Sequence, residues 1–350
     1  MPAEWEPHAA TWIAWPHNRS DWPGKSAAIP WVYVEIVRQL SRVEPVNILV
    51  NNRRAERKAR EKLERAGVDL ERVAFYRVPT DRSWTRDSMP SFVMRDLEDA
   101  PALAMVDWRF NGWAKYDDHR RDNRVGRRLA RKLGFERIKA EAEARGRRAR
   151  VVMEGGAIDV NGRGTLLATE ECLLSTVQAR NPDLDRPALE RVFAEYLGVR
   201  KVVWLGRGIV GDDTHGHVDD LARFVDSQTI VCVVETNPSD ANYEPLRENL
   251  ERLKAATDQD GRPLGVVTLP MPAPVVFAGQ RLPASYANFY VANSLVLVPT
   301  FDDPADRVAL DTLASVLPGR TVVGIHSLDL VWGLGTLHCL TREQPVATNS

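Results

Sequence analysis

Cysteine is scarce in this chain of 350 residues: there are three, Cys172, Cys232 and Cys339, far apart and odd in number. Such a set builds no disulfide framework, suits a reducing compartment and leaves at least one thiol free. Net charge is equally scarce. Lys and Arg number 47 against 48 Asp and Glu, a formal charge of -1, so no global field gathers nucleic acid or an anionic membrane. No apolar run reaches the roughly 18 residues of a membrane span, and the opening Met1-Pro-Ala-Glu-Trp5-Glu-Pro7 has neither the basic start nor the apolar core of a signal peptide. The expectation is a cytoplasmic protein whose partner is a small molecule or peptide, with no nucleic acid and no membrane, and with self-association into a homo-oligomer left open. Also lacking is any glycine fingerprint of the dinucleotide or phosphate-loop type. Gly162-x-Gly164 reads instead as a hairpin turn, Asn161-Gly-Arg-Gly164, between two strands.

What is present, 44% hydrophobic and 27% charged residues, describes a globular chain with a sizeable core. Amphipathic stretches near Arg53–Ala66, Arg120–Gly134, Leu184–Gly198, Tyr243–Thr257 and Asp303–Leu317 predict helices that start roughly 60 to 67 residues apart. Each is followed by an apolar or β-branched run, at Arg72–Val78, Arg150–Met153, Lys201–Leu205, Gly265–Leu269 and Arg320–Ile325, which predicts a strand. Loops rich in Gly, Asp, His or Pro come next, then further strands. Equivalent loops of repeats stacked around a ring converge on its axis, so the expected fold is a single domain over residues 1–350, a five-bladed α/β propeller with a central site. The competing fold is a doubly wound α/β sheet, which the missing phosphate loop disfavours.

Chemistry concentrates in a few of those loops. Cys339 follows Gly333-Leu-Gly335, glycines that let a loop present its sulfur to a ligand, whereas Cys172 and Cys232 sit among apolar residues that predict strands and buried, inert thiols. Three acids precede Cys339 in different repeats: Asp87 in Trp84-Thr-Arg86-Asp87, Glu154 before Gly155-Gly156, and Asp219 in His215-Gly-His217-Val-Asp219. Each of them alone could as well cap a helix or pair on a solvated face. The alternation of His217 and Asp219 predicts one strand face bearing both, joined by His215 if the strand extends. A metal could use that face, but His8, His17, His119, His326 and His338 supply no second cluster with ligand spacing, so the expected metal content is none. Carboxylates around a thiol raise its pKa and disarm it unless the substrate is itself a cation. A guanidinium pairs bidentately with carboxylates and brings that positive charge, and Trp84 supplies an aromatic wall for it.

These residues resemble a known family, the agmatine deiminase and bacterial-type peptidylarginine deiminase group of the guanidino-modifying pentein superfamily. The likeness runs along nearly the whole chain, through Pro2-Ala-Glu-Trp5-Glu-Pro-His8, Thr11-Trp-Ile-Ala-Trp15-Pro16, Trp84-Thr-Arg86-Asp87, Phe110-Asn-Gly-Trp113, Glu154-Gly-Gly156, Gly216-His-Val-Asp219, Tyr286-Ala-Asn288-Phe-Tyr-Val-Ala-Asn293 and His338-Cys-Leu-Thr341. It implies Cys339 as nucleophile, His217 and Glu154 as proton-transfer groups, and Asp87 and Asp219 as the carboxylates that hold the guanidinium. Trp84, Trp113, Asp213 and Asn288 would contact substrate, Asn288 with a structural role as an equal alternative. The implied reaction is attack of sulfur on the guanidinium carbon, loss of ammonia through a covalent thiouronium, and hydrolysis to a ureido product, with no cofactor.

Agmatine is the expected substrate, since Asp212-Asp213 lies where relatives that use agmatine carry an acid for its distal amine, usually a glutamate. Peptidylarginine comes second, there being no appended domain to hold a protein. Free arginine stays open, an amidinotransferase is a third option, and a nonenzymatic guanidine sensor is the reading from another class. The basic stretch Arg120–Arg150 reads as a helix with one solvated face and a loop.

Overall fold

The computed structural model describes residues 1–95 and 102–347. Five small sheets, each with one antiparallel inner strand and parallel strands outside it, form the blades of an α/β propeller. In the first blade the C-terminal strand Thr341–Pro345 pairs antiparallel with the N-terminal strand His8–Ala14, closing the ring, and Val46–Val50 and Val73–Arg77 follow in parallel. The second blade is Ser91–Arg95, Ala102–Asp107 and Glu136–Lys139, and the third is Asp159–Val160, Thr165–Thr169 and Lys201–Leu205. Ala222–Phe224, Thr229–Val234 and Gly265–Pro270 make the fourth, and Tyr290–Val291, Leu295–Thr300 and Thr321–His326 the fifth. Parallel neighbours need a crossover, and a helix supplies it on the outside of every blade.

Those crossover helices carry the repeat seen in the sequence. They span Arg53–Arg65, Val125–Leu133, Arg186–Leu197, Tyr243–Lys254 and Ala305–Val316. The third shows why they form and where they stop. The Asp185 side chain caps its first turn by accepting from the Ala188 N–H, Leu189, Val192, Phe193 and Leu197 fall on one buried face, and Gly198 ends it at a left-handed φ of 71°. Burying each of those apolar side chains contributes about 1.5–3 kcal/mol. No helix among the described residues is long and apolar enough to cross a membrane.

Two expectations fail here. The outer strand of the second blade is Glu136–Lys139, not Arg150–Met153; Arg147–Arg150 pairs instead with Glu141–Ala144 in a hairpin, and Val152 makes only an isolated bridge to Arg109. The stretch Arg120–Arg150 therefore carries three strands in addition to its helix. An edge strand with one solvated face needs no apolar run, which is why Glu-Arg-Ile-Lys escapes a search for one. The crossover helix Ile29–Leu40, inside the first blade's extra βαβ unit, also has no counterpart in the five-fold pattern.

Candidate active site

Each blade sends one turn of chain toward the axis just before its inner strand. The short helix Thr85–Ser88 presents Asp87 from the second blade, and the turn after Glu154 presents Gly155 and Gly156 from the third. From the fourth come His217 and the single turn Val218–Asp220, from the fifth the Ser285–Asn288 turn, and from the C-terminal end the helix Leu337–Leu340 with Cys339. Hydrogen bonds join neighbouring turns: the Thr85 hydroxyl donates to the Leu340 carbonyl at 2.6 Å, and the Gly156 N–H donates to Asp87 Oδ1 at 3.0 Å. Gly156 lies at the centre of the ring. A Cβ there would stand 2.6 Å from His217 Nδ1 and 3.0 Å from both Asp219 Oδ2 and Asp87 Oδ1, so only glycine leaves room for the three side chains around it.

His217 and Asp219 face the same space, but not as alternate residues of a strand. His217 precedes the one-turn helix, and the inner strand begins only at Ala222. Gly216 and His215 have φ of 92° and 65°, which turns the chain sharply, and Asp212 holds the turn by accepting from the N–H groups of Gly216 and His217 at 2.7 and 3.0 Å. His215 consequently points away, to Ser175 Oγ at 3.2 Å. Cys172 is not on a strand either. It lies in the short helix Glu170–Leu174 behind His217, where Cys172, Glu154 and His217 each bring a potential ligand atom within 4.8 Å of the other two. Glu154 is already held there by Arg180, whose charge opposes a cation in that spot. Cys232 is buried in its strand, and burial pushes its thiol up to about 12.

Distances define the reaction space. His217 Nδ1 lies 3.9 Å from both Asp87 Oδ1 and Asp219 Oδ1, and Nε2 lies 3.6 Å from Glu154 Oε2. Among the described residues neither ring nitrogen has a hydrogen-bond partner, nor has Asp219 Oδ1, although all are buried. Unmet donors and acceptors of this kind, gathered around one point, are what a polar ligand would complete. Asp87 is oriented by the Trp113 indole N–H, which donates to Oδ2 at 2.9 Å. Glu154 is buried against Arg180, whose Nε stands 3.2 and 3.3 Å from its two oxygens.

Cys339, expected on a loop that presents its sulfur to a ligand, lies in the short helix Leu337–Leu340, is 7% exposed and lines the cavity. Its sulfur receives the Asn288 amide N–H at 3.2 Å and lies 3.8 Å from Asp219 Oδ2. Asn288 accepts from Thr336 Oγ1 at 2.8 Å and from the His338 N–H at 3.1 Å, and its amide also donates to Asp220 Oδ1 at 3.0 Å. It thus holds the thiol turn, the structural role that stands beside a substrate contact as its alternative.

Electrostatics follow from this crowding. Burial, then Asp219, Asp220 and Asp87, push the Cys339 thiol well above its ordinary range, with the Asn288 hydrogen bond opposing. Burial works against a charged His217, yet Asp87 above all, then Cys172 and Glu154, hold its pKa well above the usual histidine value. Burial also raises the Asp87 carboxyl, which His217 opposes, and raises Asp220 strongly, with Asp219 adding to it. Glu154 stays low against its burial because of Arg180. These groups by themselves favour a neutral thiol and a charged imidazole.

Several residues of this cluster were not foreseen. His338 bridges Asp219 Oδ2, at 2.6 Å from Nδ1, and Glu4 Oε2, at 2.9 Å from Nε2. Glu4 in turn meets Arg86 at 2.8 Å and Arg223 at 2.9 Å, and holds a low pKa against full burial mainly through Arg223. Glu4, Arg86 and His338 lie within motifs that carry the family resemblance, but nothing in those motifs assigned them a part in the site.

The cavity above the thiol measures about 180 Å³, and Trp84, Asp87, Trp113, Tyr116, Asp213 and Cys339 are among the residues that line it. Trp84 is backed by Trp22, ring centroids 5.1 Å apart. Asp213 lies at the more exposed end, so carboxylates stand at both ends of a channel walled by indoles. Such a channel suits a flat cation at the sulfur and a second positive charge at the mouth.

Residues 1–345 match the family described as Porphyromonas-type peptidyl-arginine deiminase. An agmatine deiminase of Stutzerimonas stutzeri is 34% identical over 368 aligned residues, covering 99% of this chain and 95% of that protein. Among solved structures, the agmatine deiminase of Enterococcus faecalis superposes with a TM-score of 0.89 at 30% identity, covering 99% of this chain and 96% of its own. One from C. jejuni, solved with substrate bound, superposes at 0.85 with 27% identity and covers 100% and 96%.

Proposed function

The chain belongs to the Porphyromonas-type peptidyl-arginine deiminase family, and within it we propose that this protein is an agmatine deiminase, hydrolysing the guanidinium of agmatine to N-carbamoylputrescine and ammonia. The observation that carries the reading is the cavity lined by Asp87 and the Cys339 thiol, with Asp219 3.8 Å from the sulfur, and also by Asp213, whose side chain is partly exposed. Acids in two parts of one cavity suit a guanidinium joined by a short alkyl chain to an ammonium. Hydrolysis of this bond on the way from arginine-derived agmatine to putrescine places the enzyme in polyamine biosynthesis.

In this mechanism Asp87 and Asp219 take the guanidinium edges, and its positive charge offsets the carboxylates that keep the thiol neutral, so the Cys339 proton leaves to solvent and the thiolate forms with substrate in place. Sulfur bonds to the guanidinium carbon. His217, as imidazolium, protonates one amino group of the tetrahedral adduct; the C–N bond breaks and ammonia departs, leaving a thiouronium on Cys339. Neutral His217 then removes a proton from water as its oxygen attacks the same carbon, and rupture of the C–S bond releases the ureido product and the thiol. Glu154 positions His217, and Arg180 positions Glu154.

Ammonia release from agmatine, free arginine and a blocked arginine peptide tests the assignment. Agmatine is expected to give the highest kcat/KM, by roughly 10-fold or more, because only its tail places an ammonium at Asp213 and no carboxylate or amide beside it. A preference for either of the other two would overturn it.

A further inference from the structure

The acid at the channel mouth is already occupied. Asp213 accepts from the Tyr116 hydroxyl at 2.6 Å, and Lys115 Nζ makes an ion pair with its other oxygen. The Asp213 side chain is 17% exposed and the Lys115 side chain 42%, so the pair spans the boundary between cavity and solvent. A carboxylate placed to receive a ligand's ammonium is thus receiving one from the protein.

Lys115 is delivered by an unusual loop. Gly112, Trp113 and Ala114 have φ of 67°, 58° and 54°, three successive left-handed residues of which two are not glycine. The turn is secured by the Ala114 N–H, which donates to Asn111 Oδ1 at 2.9 Å, and by the Tyr116 N–H, which donates to the Gly112 carbonyl at 3.0 Å. Gln178 ties this loop to the acid, its amide donating to the Trp113 carbonyl at 3.2 Å and the Asp213 carbonyl at 3.1 Å. One loop therefore touches both ends of the channel, Trp113 at Asp87 and Lys115 with Tyr116 at Asp213.

We propose that Lys115 is a tethered competitor for the distal cation site, its ammonium holding Asp213 in the free protein and giving way when the ammonium of a diamine-like guanidine arrives. This rests on the agmatine reading. While Lys115 sits on Asp213, only the fraction of molecules in which the pair has opened can bind the distal charge, so apparent affinity is lowered by that fraction. A guanidine with an uncharged tail gains nothing from Asp213 and does not feel the competition. Lys115 thereby sets how strongly the enzyme favours a cationic tail over a neutral one.

Calorimetric titration of agmatine and of n-butylguanidine into Cys339→Ala and Cys339→Ala/Lys115→Met protein separates the possibilities. Removing Lys115 is expected to tighten agmatine roughly 2- to 5-fold, the scale of a partly exposed ion pair, and to leave n-butylguanidine unchanged within about 1.5-fold. Lys115→Arg, which keeps the cation, should behave as its parent. Unchanged or weaker agmatine binding without Lys115, equal tightening of both ligands, or no binding of agmatine to either protein overturns the proposal. Turnover measured separately on protein with Cys339 intact keeps the two claims apart: wild type that binds agmatine but releases no ammonia refutes the assigned reaction, while the binding ratio still decides the role of Lys115.

Discussion

Cys339→Ala protein is expected to lose ammonia release from agmatine by at least about 10⁴-fold, the scale on which enzymes respond to loss of a nucleophile. Among the described residues the other two thiols are fully buried, Cys232 in its blade and Cys172 behind His217, and neither lines the cavity. The alanine protein should still bind agmatine, since Asp87, Asp219 and the indole walls remain. Steady-state assays at saturating agmatine, with Cys232→Ala as a control of unchanged activity, measure the loss. Turnover of the Cys339→Ala protein at more than about one per cent of wild type would mean that a different group attacks the guanidinium.

Glu4→Gln is expected to cost much of the fold's stability. Glu4 is 7% exposed and stands between two buried guanidiniums, Arg86 and Arg223, and the His338 imidazole, while its Oε1 also accepts from the Val291 N–H at 2.9 Å. The substitution preserves shape and removes the negative charge, leaving two buried arginines short of a counter-ion. Breaking a buried pair in this way costs about 3–5 kcal/mol. Urea unfolding followed at two wavelengths should show a lower midpoint with an unchanged slope, the sign of a stability change rather than of a more open native state. A midpoint equal to wild type would show that Glu343, which pairs with Arg86 at 2.7 Å, and Asp159, at 2.8 Å from Arg223, neutralise both arginines without Glu4.

These two residues mark what was and was not legible in the sequence. The five-fold repeat could be read because each crossover helix carries its own local signals, such as the Asp185 cap, the buried face of Leu189 to Leu197 and the closing Gly198. The charged edge strand Glu136–Lys139 could not, since nothing apolar marks it. Asp87, Glu154, His217, Asp219 and Cys339 stood out because each leaves the pattern of its repeat at the same point, next to glycine or another polar residue; the structure sets Asp87, His217 and Asp219 around Gly156, with Glu154 3.6 Å from His217 and the Cys339 sulfur 3.8 Å from Asp219. The strand predicted for His217 and Asp219 proved to be a helical turn, because the chain must bend at His215 and Gly216 to reach the axis. Glu4, Arg180, Arg223 and His338 stayed hidden for a different reason. Each is defined by a partner far away in sequence, Glu4 by Arg86, Arg223 and His338, and no local pattern encodes a pairing across blades. The ion pair of Lys115 with Asp213 belongs to the same class.

The central claim, that Cys339 carries the substrate's carbon between two half-reactions, is tested most directly by acid-quenching wild-type protein during turnover of agmatine and weighing it intact and as peptides. The account predicts a species heavier than the free protein by one agmatine less one ammonia, confined to the peptide containing Cys339, absent from Cys339→Ala and lost once agmatine is consumed. Ammonia formed at full rate with no adduct under any quench time, or an adduct on a peptide other than that of Cys339, would contradict it.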